Sequence, residues 1–168
     1  YGDLTTSDAV TFALPFGGTD AVISTNDIWI DPDSDDQHVI ARTQSGAAVY
    51  FHRSGEGNWS APLWQLDSSY RVRFLFSDER LVLLYRVDGE AIGYRVAGPA
   101  DRVPGFPIDW AALPETVIPL PAGFGDILAI YPEQAQYQHN PAGGLHAALV
   151  GTGAENVVVH LALESPVE

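Results

Sequence analysis

The residues best placed to do chemistry lie in one short stretch, "NDIWIDPDSDDQHVIART", where Asp31, Asp33 and Asp35 alternate with other residues. Carboxylates at every second position are how calcium loops present oxygen ligands. The rest of such a loop is missing, because Asp36 stands where the sharp turn needs glycine and Arg42 where the closing glutamate would be. Pro32 suits a tight corner between two strands better than a ligand loop. Two readings stay open: a calcium site on these aspartates, or an acidic corner of an all-β repeat.

Other chemistries find little to start from. "VGTGAEN" has two glycines of a dinucleotide fingerprint, but Asn156 replaces the third and a strand-like run follows, so a hairpin turn is the better reading. His38, His52, His139, His146 and His160 show neither HxH nor HExxH spacing and read as strand or loop residues. No GxSxG elbow occurs, and a chain without lysine or cysteine has no phosphate-loop lysine, thiolate zinc site or cysteine nucleophile.

All eight basic residues are arginine, and against 22 acidic residues they leave a formal charge of −14. Such a surface repels phosphate backbones and anionic headgroups, which argues against nucleic-acid and membrane-surface binding; it also serves plain solubility. No apolar run reaches the ~20 residues of a membrane-spanning helix. The 46% hydrophobic content over 168 residues fits a single folded domain, 1–168. The opening Tyr1 reads as a processed or excised segment, a piece of a longer chain.

Stepping from residues to elements, short apolar runs broken by glycine, proline, asparagine and aspartate predict an all-β chain. Strands are expected at 21–24, 27–30, 38–41, 47–52, 70–76, 80–86, 91–96, 126–131, 146–151 and 157–163. "LVLLY" is continuously apolar and should be buried on both faces. Short connectors at "SDE", "VDGE" and "GTGAEN" predict antiparallel hairpins, whereas 98–114 is a long connector in which only "IDWAAL" could make a helical turn. The runs group as 20–66, 67–97 and 124–164, about three blade-like antiparallel meanders, so the expected fold is a partial β-propeller with open edges. Trp29, Ile40, Val49, Phe74, Leu83, Ile130, Leu149 and Val159 should be buried.

The order of these pieces resembles the β-propeller phytases, secreted calcium-dependent enzymes that remove phosphate from inositol hexakisphosphate. "STNDIWIDPDSDDQHVIARTQSGAAVY" (24–50) follows their DDPAIW stretch, acidic turn and TxKxxGLxVY strand, with Trp29, Pro32, Gly46, Val49 and Tyr50 in place. "YRVRFLFSDERLVLLYRVDGEAIGYRV" (70–96) follows their NNVD strand, buried strand and IYxI strand. "AGFGDILAIYPEQAQYQHNPAGGLHAALVGTGAENVVVHLAL" (122–163) runs parallel to a later strand group. The resemblance covers roughly 20–164, about the first half of a six-bladed phytase.

The departures bear directly on activity. The family's paired aspartates fall on Ser24 and Thr25, its substrate lysines on Thr43 and Gln44, and its NNVD on Tyr70, Arg71, Val72 and Arg73. Serine, threonine and arginine cannot build the carboxylate cage that gathers calcium there. Arg86 and Asp126 do fall on family positions; the resemblance makes Arg86 a phosphate-binding residue and Asp126 a metal ligand beside Asp31, Asp33 and Asp35. Arg86 could equally pair with Asp88 or Glu90. The resemblance thus implies a secreted or periplasmic, non-catalytic or weakly active module that assists a catalytic propeller in the same parent chain, with calcium weak and inositol phosphate a possible ligand. The alternatives are a divergent calcium-dependent phosphomonoesterase, which leaves open whether the chain is an enzyme, and a propeller-type protein-interaction module.

Overall fold

Strand-forming residues recur here in runs too short for helices and closely punctuated by turn formers, and the backbone follows them. A computed structural model describes residues 22–55, 57–66, 72–77, 79–88, 91–132, 144–153 and 157–162. Its first sheet is β1 (Val22–Ile30), β2 (Gln37–Thr43), β3 (Ala48–Arg53) and β4 (Trp64–Leu66), in that order. The second is β5 (Val72–Ser77), β6 (Arg80–Asp88), β7 (Ala91–Ala97) and β8 (Thr116–Pro119), and the third runs β11 (Val157–Ala162), β10 (Gly144–Gly151), β9 (Ile127–Pro132). Every pairing is antiparallel and joins consecutive strands, so each sheet is a meander. The sheets do not close on one another into a barrel among the described residues.

The three expected groupings correspond to these sheets, with differences in detail. The runs at 21–24 and 27–30 are one strand, β1, which crosses the polar "STND" by two register shifts instead of breaking. Two edge strands, β4 and β8, lie in proline-flanked segments whose composition hides them; an edge strand tolerates nearby proline because only one side of its backbone must pair. A 3-10 turn sits at Pro99–Asp101, ahead of "IDWAAL", which itself makes one hydrogen-bonded turn, Ala112 N to Asp109 O at 3.1 Å. Proline at the first position of the 3-10 turn and the Asp101 carboxylate accepting from the Gly98 amide (2.9 Å) favour that start.

The second sheet is the middle layer. Phe74, Leu81, Leu83 and Tyr85 on one face pack with Trp29, Ile40 and Tyr50 of the first sheet and with Ile108 and Trp110 of the connector. Leu75, Val82, Leu84 and Ile92 on the other face pack with Ile127, Ile130, Ala147 and Leu149 of the third. Side chains alternate across a strand, so "LVLLY" has to be apolar at every position to serve both layers, and Leu81 to Leu84 are all fully buried. Each such side chain contributes about 1.5–3 kcal/mol of transfer free energy. Trp29, Ile40, Val49, Phe74, Leu83, Ile130 and Leu149 are buried as expected; the Val159 side chain lies outside the described residues.

The first strands of successive sheets also meet: β1 contacts β5, and β5 contacts β9 and β10. At the β1–β5 junction the Asp27 carboxylate accepts from the Phe74 amide (2.8 Å) and from its own neighbour Ile28 (2.9 Å). Burial raises the Asp27 pKa above the usual carboxylate range, although the Phe74 and Ile28 amides and the nearby Arg73 charge pull it down.

Candidate functional site

Polar groups concentrate where the 98–115 connector crosses the first sheet. The corner "DPDSDD" is closed on itself: the Asp31 amide donates to the Asp36 carbonyl (2.8 Å), the Asp31 carbonyl accepts from the Asp35 amide (2.9 Å), and Asp31 Oδ1 accepts from the Asp33 amide (2.9 Å). That last bond makes an Asx turn with Pro32 in the middle. Asp35 takes a positive φ of 59°, a conformation aspartate tolerates better than most residues. Asp33 and Asp35 point to solvent, whereas Asp31 and Asp36 turn inward and are buried.

Each inward carboxylate holds the connector. Asp31 Oδ2 accepts from Arg102 Nη1 at 2.7 Å, with the two side chains only 7% and 8% exposed. The Arg102 guanidinium also donates to the Glu79 carbonyl (2.8 Å) and lies over the rings of Trp29 (5.5 Å) and Phe76 (5.2 Å). It thereby ties the acidic corner, the β5–β6 turn and the connector together, with charge-assisted bonds and cation–π contact acting in one place. Asp36 Oδ2 accepts from the Gly105 amide (2.6 Å) and Oδ1 from the Gly55 amide (3.1 Å). Gly105 can aim its amide there because "VPGF" is a tight turn, closed by Phe106 N to Val103 O (3.0 Å), with Gly105 at φ 82°. Burial would raise the Asp36 pKa, but the Gly105 and Gly55 amides and His52 outweigh it and hold it below the usual range.

Behind the carboxylates lie two histidines that the β2–β3 register places opposite each other, His38 against His52. Their ring centroids are 5.1 Å apart, and both are buried. His52 Nε2 is 3.5 Å from Asp36 Oδ2, in no hydrogen bond. His38 Nδ1 and the Tyr50 hydroxyl share a hydrogen bond of 2.7 Å, and the hydroxyl oxygen accepts from the Ile108 amide (3.2 Å). Burial, reinforced by His52, lowers the His38 pKa to about 4, against the opposing pull of Asp36 and Asp31. Burial likewise raises the Tyr50 pKa, so its hydroxyl keeps its proton.

The far end of the connector is clamped to the second sheet. Arg95 donates from Nη1 to the carbonyls of Trp110 (2.9 Å), Ala111 (3.3 Å) and Leu113, and from Nε to the Tyr85 hydroxyl (3.0 Å). The Tyr85 hydroxyl donates to Glu115, and its pKa is pushed up to about 12 by burial and by that carboxylate.

The residues singled out in the sequence separate into two places. Asp31 belongs to the buried clasp, and Asp33 and Asp35 are exposed beside it. Arg86 and Asp126, 40 positions apart, are brought together on the opposite side of the second sheet as an ion pair of 2.6 Å, with side chains 25% and 48% exposed. A cleft formed by the 120–126 turn adjoins Asp126. The Asp88 and Glu90 side chains lie outside the described residues. Among the described residues no three histidine, aspartate or glutamate side chains converge as a metal set.

Asp36, His38, Tyr50, His52 and Arg102 are the members of the clasp that sequence reasoning passed over. A signal was there: pairing 37–43 with 48–53 through "TQSGA" sets both histidines and Tyr50 on the Trp29 face, where period-2 alternation demands burial.

The described residues define an all-β architecture of three stacked antiparallel meanders crossed by one clasped connector. Comparison with protein-family models, with curated proteins and with solved structures found no match. Among the described residues, no helix is long and apolar enough to cross a membrane.

Proposed function

We propose that this chain is a phytase-like, partial β-propeller module, secreted or periplasmic, that is itself non-catalytic or weakly active and assists inositol-phosphate hydrolysis by a catalytic propeller of the same parent chain. The observation that carries the reading is the stacking: consecutive meanders, two of them four-stranded, lie face to face with their first strands in contact, as neighbouring blades do around an axis. The fate of the charged groups supports the non-catalytic half. Asp31 is committed to Arg102 and Asp36 to two backbone amides, so the corner's inward carboxylates act as struts, and Arg86 reaches Asp126 before any phosphate. One charge-assisted contact of about 1.5–3 kcal/mol is small against the stabilisation that phosphoryl transfer requires.

A second reading, a protein-interaction module without phosphate chemistry, is favoured by the connector tip, where Phe106 is 65% and Val103 50% exposed on a turn held by the Gly105 amide on Asp36. Phosphate release from inositol hexakisphosphate by the isolated chain, with calcium present, tests the first reading. The expected rate is that of the enzyme-free control. Robust turnover that is abolished by Asp126→Asn or Arg86→Ala would replace it with a divergent calcium-dependent phosphatase.

A further inference from the structure

We propose that Asn58 is the acceptor of an N-linked glycan, attached before the loop between β3 and β4 closes; the site rests on the secreted or periplasmic reading above.

An asparagine followed two positions on by serine or threonine, with any residue but proline between them, is the signal that asparagine-linked oligosaccharyltransferases read. Of the four asparagines, Asn58 alone meets it, in "NWS"; Asn26 is followed by Asp27 and Ile28, Asn140 by Pro141 and Ala142, and Asn156 by Val157 and Val158. Glu56 stands two positions ahead, which gives the acidic form of the signal that bacterial transferases of this class require. The co-substrate is a polyprenyl-diphosphate-linked oligosaccharide. Asn58 Nδ2 forms a bond to the anomeric carbon of its first sugar as the bond from that carbon to the diphosphate oxygen breaks. The polyprenyl diphosphate leaves with the electron pair, and one amide hydrogen leaves as a proton to solvent.

The loop presents Asn58 and anchors its neighbours. The Gly57 amide donates to the Ser54 carbonyl (2.7 Å), and Arg53 Nε donates to the Gly57 carbonyl (2.9 Å). Trp59 bridges to Arg53 through the backbone and packs against Val39, Ala41, Val49 and Phe51. Asn58 is exposed, whereas Trp59 and Ser60 are half-buried. The same anchoring sets the timing. The Ser60 hydroxyl, which the transferase has to engage, accepts from the His52 amide (3.0 Å), and the Ser60 amide donates to the His52 carbonyl (2.7 Å). Reading the signal in the finished fold means breaking both bonds, at a cost of about tenfold or more in rate. Attachment therefore precedes closure of the loop.

The test exports the full chain, through a supplied signal, into the periplasm of a bacterial host that carries such a transferase and its lipid-linked oligosaccharide. Intact mass and peptide mapping should show one glycan, at Asn58. Ser60→Thr, which keeps the hydroxyl, should retain it; Asn58→Gln, which leaves the backbone and Ser60 bonds of the loop in place, should lose it, as should Ser60→Ala. The purified, folded chain given the same transferase and donor should be modified at least about tenfold more slowly than a synthetic peptide spanning 52–64. An exported chain without the glycan, a glycan that persists in Ser60→Ala, or a folded chain modified as fast as the peptide would overturn the proposal. Because the export signal is supplied, an unmodified chain counts against Asn58 and leaves the export reading standing. Recovery of the native parent chain from the cytoplasm of its source cells would overturn the export reading, and with it the modification there.

Discussion

Replacing Arg102 by methionine removes a buried guanidinium while keeping most of its stem in contact with Trp29 and Phe76. What is left behind is the Asp31 carboxylate, 7% exposed, whose Oδ2 loses its partner at 2.7 Å while Oδ1 keeps the Asp33 amide. Breaking a buried pair from one side costs about 3–5 kcal/mol, because the survivor is charged and out of water. In a chain of this length that is roughly 10 °C of melting temperature. The companion Asp31→Asn leaves Arg102 buried without its countercharge and should cost a similar amount. The double variant buries neither charge, and should fall short of the sum of the singles by about 2–3 kcal/mol. Urea unfolding followed by fluorescence of the four tryptophans provides the numbers. Two single losses under about 1 kcal/mol, or an additive double variant, would mean that the corner is not a strut.

The Arg86–Asp126 pair is half in solvent, so Arg86→Ala should shift the urea midpoint by the equivalent of about 1 kcal/mol or less, in clear contrast to Arg102. Leu83→Ala, in the middle layer with 0% exposure, should cost about 2–5 kcal/mol, whereas Leu128→Ala, 44% exposed, should be near neutral in the same assay. His38 titrates near 6.5 when unfolded and at about 4 in the fold, so the unfolded state takes up the proton first; its contribution is complete above pH 6.5 and is lost as pH falls toward 4, by on the order of 3 kcal/mol, which urea midpoints at pH 7 and pH 4.5 would register. Titration calorimetry with calcium should show no site tighter than micromolar; if one appears, Asp31→Asn and Asp33→Asn separate the acidic corner from other sources.

The strand content was legible because its signals are local. Runs such as "LVLLY" declare two-sided burial by composition, and "SDE" leaves no room for anything but a hairpin between β5 and β6. The edge strands β4 and β8 were not legible, since three or four residues beside prolines carry no alternation to read. The acidic corner was visible as a corner, but spacing alone gives Asp31 and Asp33 the same standing; that Asp31 turns in and Asp33 out depends on Arg102, 71 positions away. The same distance hid the clasp, whose carboxylates, histidines and connector amides meet only after two sheets have stacked. Arg86 and Asp126 were singled out separately by resemblance, and nothing in their spacing foretold their ion pair.

The most direct test of the proposed role is a rate comparison on inositol hexakisphosphate between a catalytic, calcium-loaded propeller phytase alone and the same enzyme with this chain joined ahead of it. The account predicts that the joined protein releases phosphate faster at limiting substrate, and that the gain survives Arg86→Ala if it arises from stacking against the catalytic propeller. Equal rates for the joined and unjoined enzymes, with the 168-residue chain folded in both native and variant forms, would contradict an assisting module.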